Sequence, residues 1–205
     1  MKLVPKDFVA NYLPYAMETQ IATGISAAAI LAQAALESGW GERAVGNMFF
    51  GMKDPEKGKT GKGQLITTTE YLKNPDMKHL FPEVISVTWN EPRKKWKYVV
   101  RDWFREYETP AGSFLEHAQL MTKNPRYAQA VANGSDPEQF FREVQKAGYA
   151  TAPNYADVLI QVVKTVQRNM PSDLESATMP GEADNIELPD GDAIWDYMPA
   201  YTVGD

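Results

Sequence analysis

The stretch that most restricts the fold runs from Ser26 to Lys53, SAAAILAQAALESGWGERAVGNMFFGMK. Its first half is a helix of small residues, Ala27, Ala28, Ala29, Ala32, Ala34 and Ala35, which stops at Gly39 just before Trp40. Small side chains let neighbouring backbones come close, and a helix apolar all round is a buried one. The pattern therefore predicts a central helix packed on several sides. One residue interrupts it. Ile30, Ala34 and Glu37 fall at i, i+4 and i+7 and share a face. A carboxyl in a last helical turn faces the negative end of the helix dipole, which disfavours its ionised form, and burial beside Trp40 would raise its pKa further. Those are the conditions a general acid needs near neutral pH. The competing reading is a Glu that escapes to solvent as the helix frays, because charged residues are seldom buried.

The flanking segments are punctuated clearly. Pro5 suits the first turn of a helix with an apolar stripe of Phe8, Val9, Tyr12 and Tyr15. Pro14 should kink that helix, Gly24 should end it, and Ser26 should cap the next. The loop DPEKGKTGKG (54–63) has three glycines but no phosphate-loop spacing. The period then changes. Gln64–Leu72, Val84–Trp89 and Trp96–Phe104 read as strands, with Asn90-Glu91-Pro92-Arg93 as the turn between the last two. Between the first two lies Lys73–Pro82, an insertion whose shape the pattern leaves open. Helices return at Thr109-Pro110, Asn124-Pro125, Asp136-Pro137 and Asn154, with Gly134 and Gly148 as stops. Helices, a small antiparallel sheet, then helices again predict an α+β, mostly helical domain with a minor β lobe.

Composition removes several classes of function. The chain has 205 residues, enough for one sizeable core. It has no cysteine, so disulfides and thiolate chemistry are excluded. There is no apolar run of the roughly 18 residues that read as a membrane span, and no apolar signal segment is visible at the start. His79 and His117 stand in no metal-ligand spacing, and His117, among Phe114, Leu115 and Leu120, reads as a core or edge histidine. Ser38 has no base placed beside it, so no nucleophilic triad is argued. The net charge of −6 is uneven: residues 172–205 hold nine acidic residues and no Lys or Arg, leaving 21 basic and 18 acidic residues in the body. No dense basic cluster with interleaved aromatics appears, so nucleic acid is not an expected partner.

Two further candidates follow. Glu70 lies in the first strand and could face Glu37 across a cleft, since paired carboxylates on two lobes suit glycoside hydrolysis. Alternatively it is a solvent-facing strand residue. Tyr149 and Tyr155 flank the turn Ala150–Asn154 between two helices. They are either rim residues that stack on a sugar or donate a hydrogen bond, or helix-end packing residues.

These motifs coincide in one known pattern. ILAQAALESGWG, NMFFGMK, TTTEY, WFREY, NPRY and AGYATAPNYA occur in that order over about residues 5–170. Together they resemble the family-73 glycoside hydrolases, bacterial and phage peptidoglycan hydrolases that are mostly endo-β-N-acetylglucosaminidases. The resemblance implies a lysozyme-like fold with a substrate groove between a helical lobe and a β lobe. It implies Glu37 as catalytic acid, Glu70 as second carboxylate, Tyr149 and Tyr155 as groove tyrosines, and Asn47, Phe50 and Gly51 as the loop framing the site. Trp40 and Tyr71, beside the two carboxylates' motifs, join the expected substrate contacts. Three departures stand out: Ala152 where the late motif commonly has Asp, a β lobe lengthened over Lys73–Lys95, and the acidic tail.

The expectation is therefore a catalytic domain over residues 1–170 that binds a peptidoglycan glycan strand, needs no cofactor or metal, and acts as a monomer on the cell wall. With no signal segment visible, delivery by phage or by a dedicated secretion route is expected. Residues 171–205 are expected to form a disordered acidic tail, whose end (Ile194, Trp195, Tyr197, Met198, Tyr201, Val203) is a candidate docking segment for a protein partner. The rival readings are a lytic transglycosylase of similar fold and a non-catalytic wall-binding module.

Overall fold

The structure is a computed structural model and describes residues 3–150 and 152–171. The acidic tail and its aromatic end lie outside the described residues. The chain divides into two compact units, Gly51–Glu106 and the segments on either side of it.

The larger unit is helical: α1 (Pro5–Thr23), α2 (Ala27–Ser38), α3 (Pro110–Lys123), α4 (Ala128–Ala132), α5 (Pro137–Lys146) and α6 (Tyr155–Arg168). All twelve residues of α2 are buried, and α1, α3, α5 and α6 pack around it. The small-residue pattern thus produces the central helix it predicts. Pro5 opens α1, and Gly24 closes it in the left-handed region with its N–H on Gln20 O. The helix runs through Pro14, which is exposed. Its core face is Phe8, Val9, Leu13 and Ala16, whereas Tyr12 and Tyr15 are only half-buried. Phe8, Tyr12, Trp40, Phe49 and Phe114 form an edge-to-face cluster between α1, α3 and the chain after α2.

The caps divide into two kinds. Asp136 and Asn124 accept backbone N–H bonds as expected, Asp136 from Glu138 and Gln139 at 3.0 and 3.1 Å and Asn124 from Arg126 at 3.0 Å. Ser26 and Thr109 hold the N-cap positions without a side-chain cap bond. At α2, Gln20 Oε1 accepts from Ala27 N at 2.6 Å. A residue of the preceding helix therefore satisfies one of the free N–H groups at the start of α2, while Ser26 makes no cap bond.

The smaller unit is a three-stranded antiparallel sheet, β1 (Gly63–Leu72), β2 (Glu83–Asn90) and β3 (Lys95–Arg105), in the order β1-β3-β2. The register places Glu70 opposite Tyr98 and Trp89 opposite Trp96. Lys73–Pro82 is not a free insertion. Tyr98, fully buried, donates its hydroxyl to Asn74 O at 2.7 Å and accepts from Met77 N at 3.1 Å, and Phe81 packs on its ring. The segment thus covers the centre of the sheet face that carries Glu70. Among the described residues no helix is long and apolar enough to cross a membrane, and no group of His, Cys, Asp and Glu is placed to hold a metal.

Candidate active site

Glu37 occupies the last turn of α2, just before the Gly39 C-cap. Gly39 sits at φ 61°, in the left-handed region that the reversal requires and that glycine adopts without strain. Trp40 follows, also at positive φ (56°), with its N–H on Ala35 O at 2.8 Å. The reversal keeps the helix end inside the protein, so Glu37 cannot fray outward and is only 2 % exposed. Burial pushes its carboxyl up from an ordinary 4.5 to about 8, against the opposing pull of hydrogen bonds from Tyr149 and Tyr155. At neutral pH the group is mostly protonated.

The two tyrosines come from the connection between α5 and α6 and from the first residue of α6. Neither stands open at a rim: Tyr149 is 2 % and Tyr155 0 % exposed. Their rings stack at 5.6 Å, and their hydroxyls converge on Glu37 Oε1 at 3.0 and 3.4 Å. Each hydroxyl has a second partner. Gln33, one turn before Glu37, donates Nε2–H to Tyr155 at 2.9 Å. His117 Nε2 lies 2.7 Å from the Tyr149 hydroxyl. Glu37 Oε2 is also buried but makes no hydrogen bond among the described residues. A protonated, buried carboxyl with one oxygen fixed and one unclaimed can deliver a proton to an incoming acceptor.

The other expected residues are placed as follows. Phe50 is fully buried and stacks flat on the His117 ring at 3.8 Å. Trp40 is buried against Phe8 at 5.3 Å. Asn47 ties its loop to the carbonyls of Tyr107 and Glu108 at 3.0 and 3.2 Å. Ser38 bonds Ala34 O and Gly41 N, a structural role at the helix end. In the sheet unit, Glu70 is 33 % exposed at its side chain and pairs with Lys53 Nζ at 3.3 Å. Lys53 also binds Asp102 at 2.7 Å and lies 4.0 Å from the Phe104 ring centroid. The Arg93 guanidinium sits over the Tyr71 ring at 4.5 Å.

Sequence reasoning missed Gln33, Lys53 and the reach of His117. A signal for His117 existed. Phe114, His117, Ala118 and Met121 form an i, i+3, i+4, i+7 stripe and are all buried, the same pattern of one polar member on an apolar face that singles out Glu37.

The model of the glucosaminidase family, described as mannosyl-glycoprotein endo-β-N-acetylglucosaminidase, matches residues 13–168. The chain belongs to the glucosaminidase family. Glucosaminidases of this kind are glycoside hydrolases, and the buried acid suits that chemistry. Among relatives, the peptidoglycan hydrolase FlgJ of Salmonella typhimurium is 35 % identical over 188 residues, covering 88 % of this chain and 52 % of that protein. FlgJ of Vibrio parahaemolyticus is 32 % identical over 169 residues, covering 80 % and 48 %. The chain thus spans about half the length of these relatives. The solved glycoside hydrolase domain of Salmonella typhimurium FlgJ superposes with a TM-score of 0.60 at 34 % identity, covering 80 % of this chain and 99 % of that one. The peptidoglycan hydrolase of Sphingomonas sp. A1 gives 0.57 at 25 % identity, covering 86 % and 98 %. The helical unit and the three-stranded sheet are accordingly the two parts of a lysozyme-like α+β glucosaminidase fold.

Proposed function

We propose that this glucosaminidase hydrolyses the glycan strands of bacterial peptidoglycan, cutting the β-1,4 bond after N-acetylglucosamine within the strand, with Glu37 as general acid. The observation that carries the reading is the carboxyl of Glu37: buried, raised to about 8, held by two tyrosines at Oε1, and without a hydrogen-bond partner at Oε2 among the described residues. Such a group is protonated at neutral pH and donates from Oε2 to the glycosidic oxygen as the bond to C1 breaks. The resulting carboxylate then receives both tyrosine hydroxyls, which favour the ionised form and so assist the transfer. The substrate class is supported by the relatives, which are named peptidoglycan hydrolases.

Glu70 is the second carboxylate in this reading. It either activates the attacking water, giving inversion, or stabilises the positive charge that forms when the substrate's own N-acetyl group attacks, giving retention. Its pairing with a lysine shared with Asp102 fixes its position on the strand. Mass spectrometry of products from purified peptidoglycan tests the whole reading. Hydrolysis adds one water and leaves N-acetylglucosamine at the new reducing end. An anhydro product identifies a transglycosylase instead, and no release of fragments identifies a binding module. Glu37→Gln is expected to keep the fold and lose at least about a hundredfold in rate, the scale of general acid catalysis. Clearing of a peptidoglycan gel at near the parent rate would remove Glu37 from its role.

A further inference from the structure

A tyrosine hydroxyl has one proton and can give it to one partner only. The Tyr155 hydroxyl touches Gln33 Nε2 and Glu37 Oε1. The amide nitrogen can only donate, so the Tyr155 proton goes to Oε1. The Tyr149 hydroxyl touches His117 Nε2 and Glu37 Oε1. Here two arrangements satisfy the distances, and the histidine chooses between them. If Nε2 carries the ring proton, it donates to Tyr149, and Tyr149 donates to Oε1. If Nδ1 carries it, Tyr149 donates to Nε2, and Glu37 must place its own proton on Oε1 to reach the Tyr149 oxygen. That second arrangement crowds Oε1 with a proton and the Tyr155 donor, and leaves no proton on Oε2, the oxygen with no protein partner among the described residues.

We propose that His117 is a positioning residue: its Nε2–H fixes Tyr149 as a donor to Glu37 Oε1 and thereby holds the acid proton on Oε2. The inference rests on the reading of Glu37 as the acid. The surroundings of His117 suit the role. It is 3 % exposed, and burial pushes its pKa down to about 3, so it stays neutral with a single ring proton. The flat stack on Phe50 and the perpendicular contact with Tyr149 (5.9 Å, 89°) fix the plane of the imidazole. The titratable groups on the packed elements are Glu37 from α2, Tyr155 from α6, and Tyr127, whose ring lies 6.0 Å from that of Tyr149. On α3 itself, Glu116 is taken up by the Tyr107 hydroxyl at 2.8 Å.

Two measurements test this. The first uses the unaltered protein: long-range ¹H–¹⁵N correlation of the His117 ring should show the Nε2–H tautomer, unchanged from pH 8 to pH 5. The Nδ1–H tautomer or an imidazolium would overturn the proposal. The second follows the Glu37 carboxyl by ¹³C NMR in two variants. His117→Phe keeps the stack on Phe50 and removes the donor; His117→Gln keeps an N–H at similar reach. In His117→Phe the Glu37 midpoint should rise by about one pH unit, because the Tyr149 oxygen, no longer receiving the histidine N–H, can accept from the protonated carboxyl and so favours its neutral form. The alkaline limb of the rate should move with it, kcat should fall roughly tenfold with KM unchanged, and His117→Gln should restore both. A Glu37 midpoint identical in all three proteins would overturn the proposal. If His117→Phe does not fold, the tautomer measurement decides. The Glu37 titration needs no turnover, so it separates the two ideas: a fully active Glu37→Gln would defeat the acid assignment, whereas an unmoved titration would defeat the role of His117.

Discussion

Glu37 should make the protein less stable as pH rises, and the size of the effect follows from its position. Below about pH 4.5 the carboxyl is protonated in both folded and unfolded chains. Above about pH 8 it is ionised in both. Between those values only the folded chain holds the proton. Stability therefore falls with rising pH across this window, because the folded state binds more protons than the unfolded state. A rise from 4.5 to about 8, at about 1.4 kcal/mol per unit, sets a ceiling of about 5 kcal/mol. That compares with a total of about 5–15 kcal/mol for a typical domain. Water reaching the ionised group brings the figure below the ceiling. Glu37→Gln tests it directly. The amide is uncharged throughout, accepts from both tyrosines at its oxygen, and adds only a pH-independent cost for its unpaired N–H. Urea unfolding of both proteins at fixed pH between 5 and 8 should show the variant gaining on the parent, by several kcal/mol over the range. A stability difference that is flat across those pH values would refute the buried, proton-binding carboxyl. A difference of the opposite slope would refute the sign of its shift.

Three further outcomes are expected. Gly58→Ala should cost about 2 kcal/mol in equilibrium unfolding, because Gly58 lies at φ 77° and a Cβ would meet the Trp103 ring at 2.5 Å; a change within about 0.5 kcal/mol would show that the loop yields. Glu70→Gln should slow hydrolysis while leaving glycan binding largely intact, and azide should partly rescue Glu70→Ala if Glu70 activates the attacking water; a fully active Glu70→Ala would point to a single-carboxylate mechanism. Asp136→Ala should cost about 1 kcal/mol in equilibrium unfolding through loss of the two cap bonds on α5, and an unchanged denaturant midpoint would show that water replaces them.

The parts of the fold legible in the sequence were those governed by short-range physics. The strands follow from β-prone runs bounded by turn residues, α5 from Asp136-Pro137, and the end of α2 from Gly39, because each signal lies within a few residues of its effect. The burial of Glu37 was legible from the small residues around it, which mark α2 as central; the face it shares with Ile30 and Ala34 left the solvent-exposed reading open. What stayed hidden depends on residues distant in the chain. Ser26 has the right identity for a cap yet makes no cap bond, and the start of α2 is met instead by Gln20 at the Ala27 N–H. Tyr149 and Tyr155 were visible as a pair around a turn, yet whether they point to solvent or inward is decided by Glu37, more than a hundred residues earlier. Lys73–Pro82 lacks a secondary-structure pattern because its order comes from one tyrosine of β3.

The full enclosure of α2 also bears on how the protein responds to heat. Regions that open locally do so with small free energies because few contacts hold them, and lids and binding loops are usually of this kind. A helix buried along all twelve residues has no such cheap opening. Its amide protons should exchange only through global unfolding and should be among the slowest in the chain. Glu37, the proposed proton donor, is carried on that slow element, so its geometry should survive until the whole helical unit is lost. Loss of activity on heating that tracks the melting of the helical unit would place thermal failure in the scaffold, whereas an earlier loss would trace to the sheet unit or to the loops.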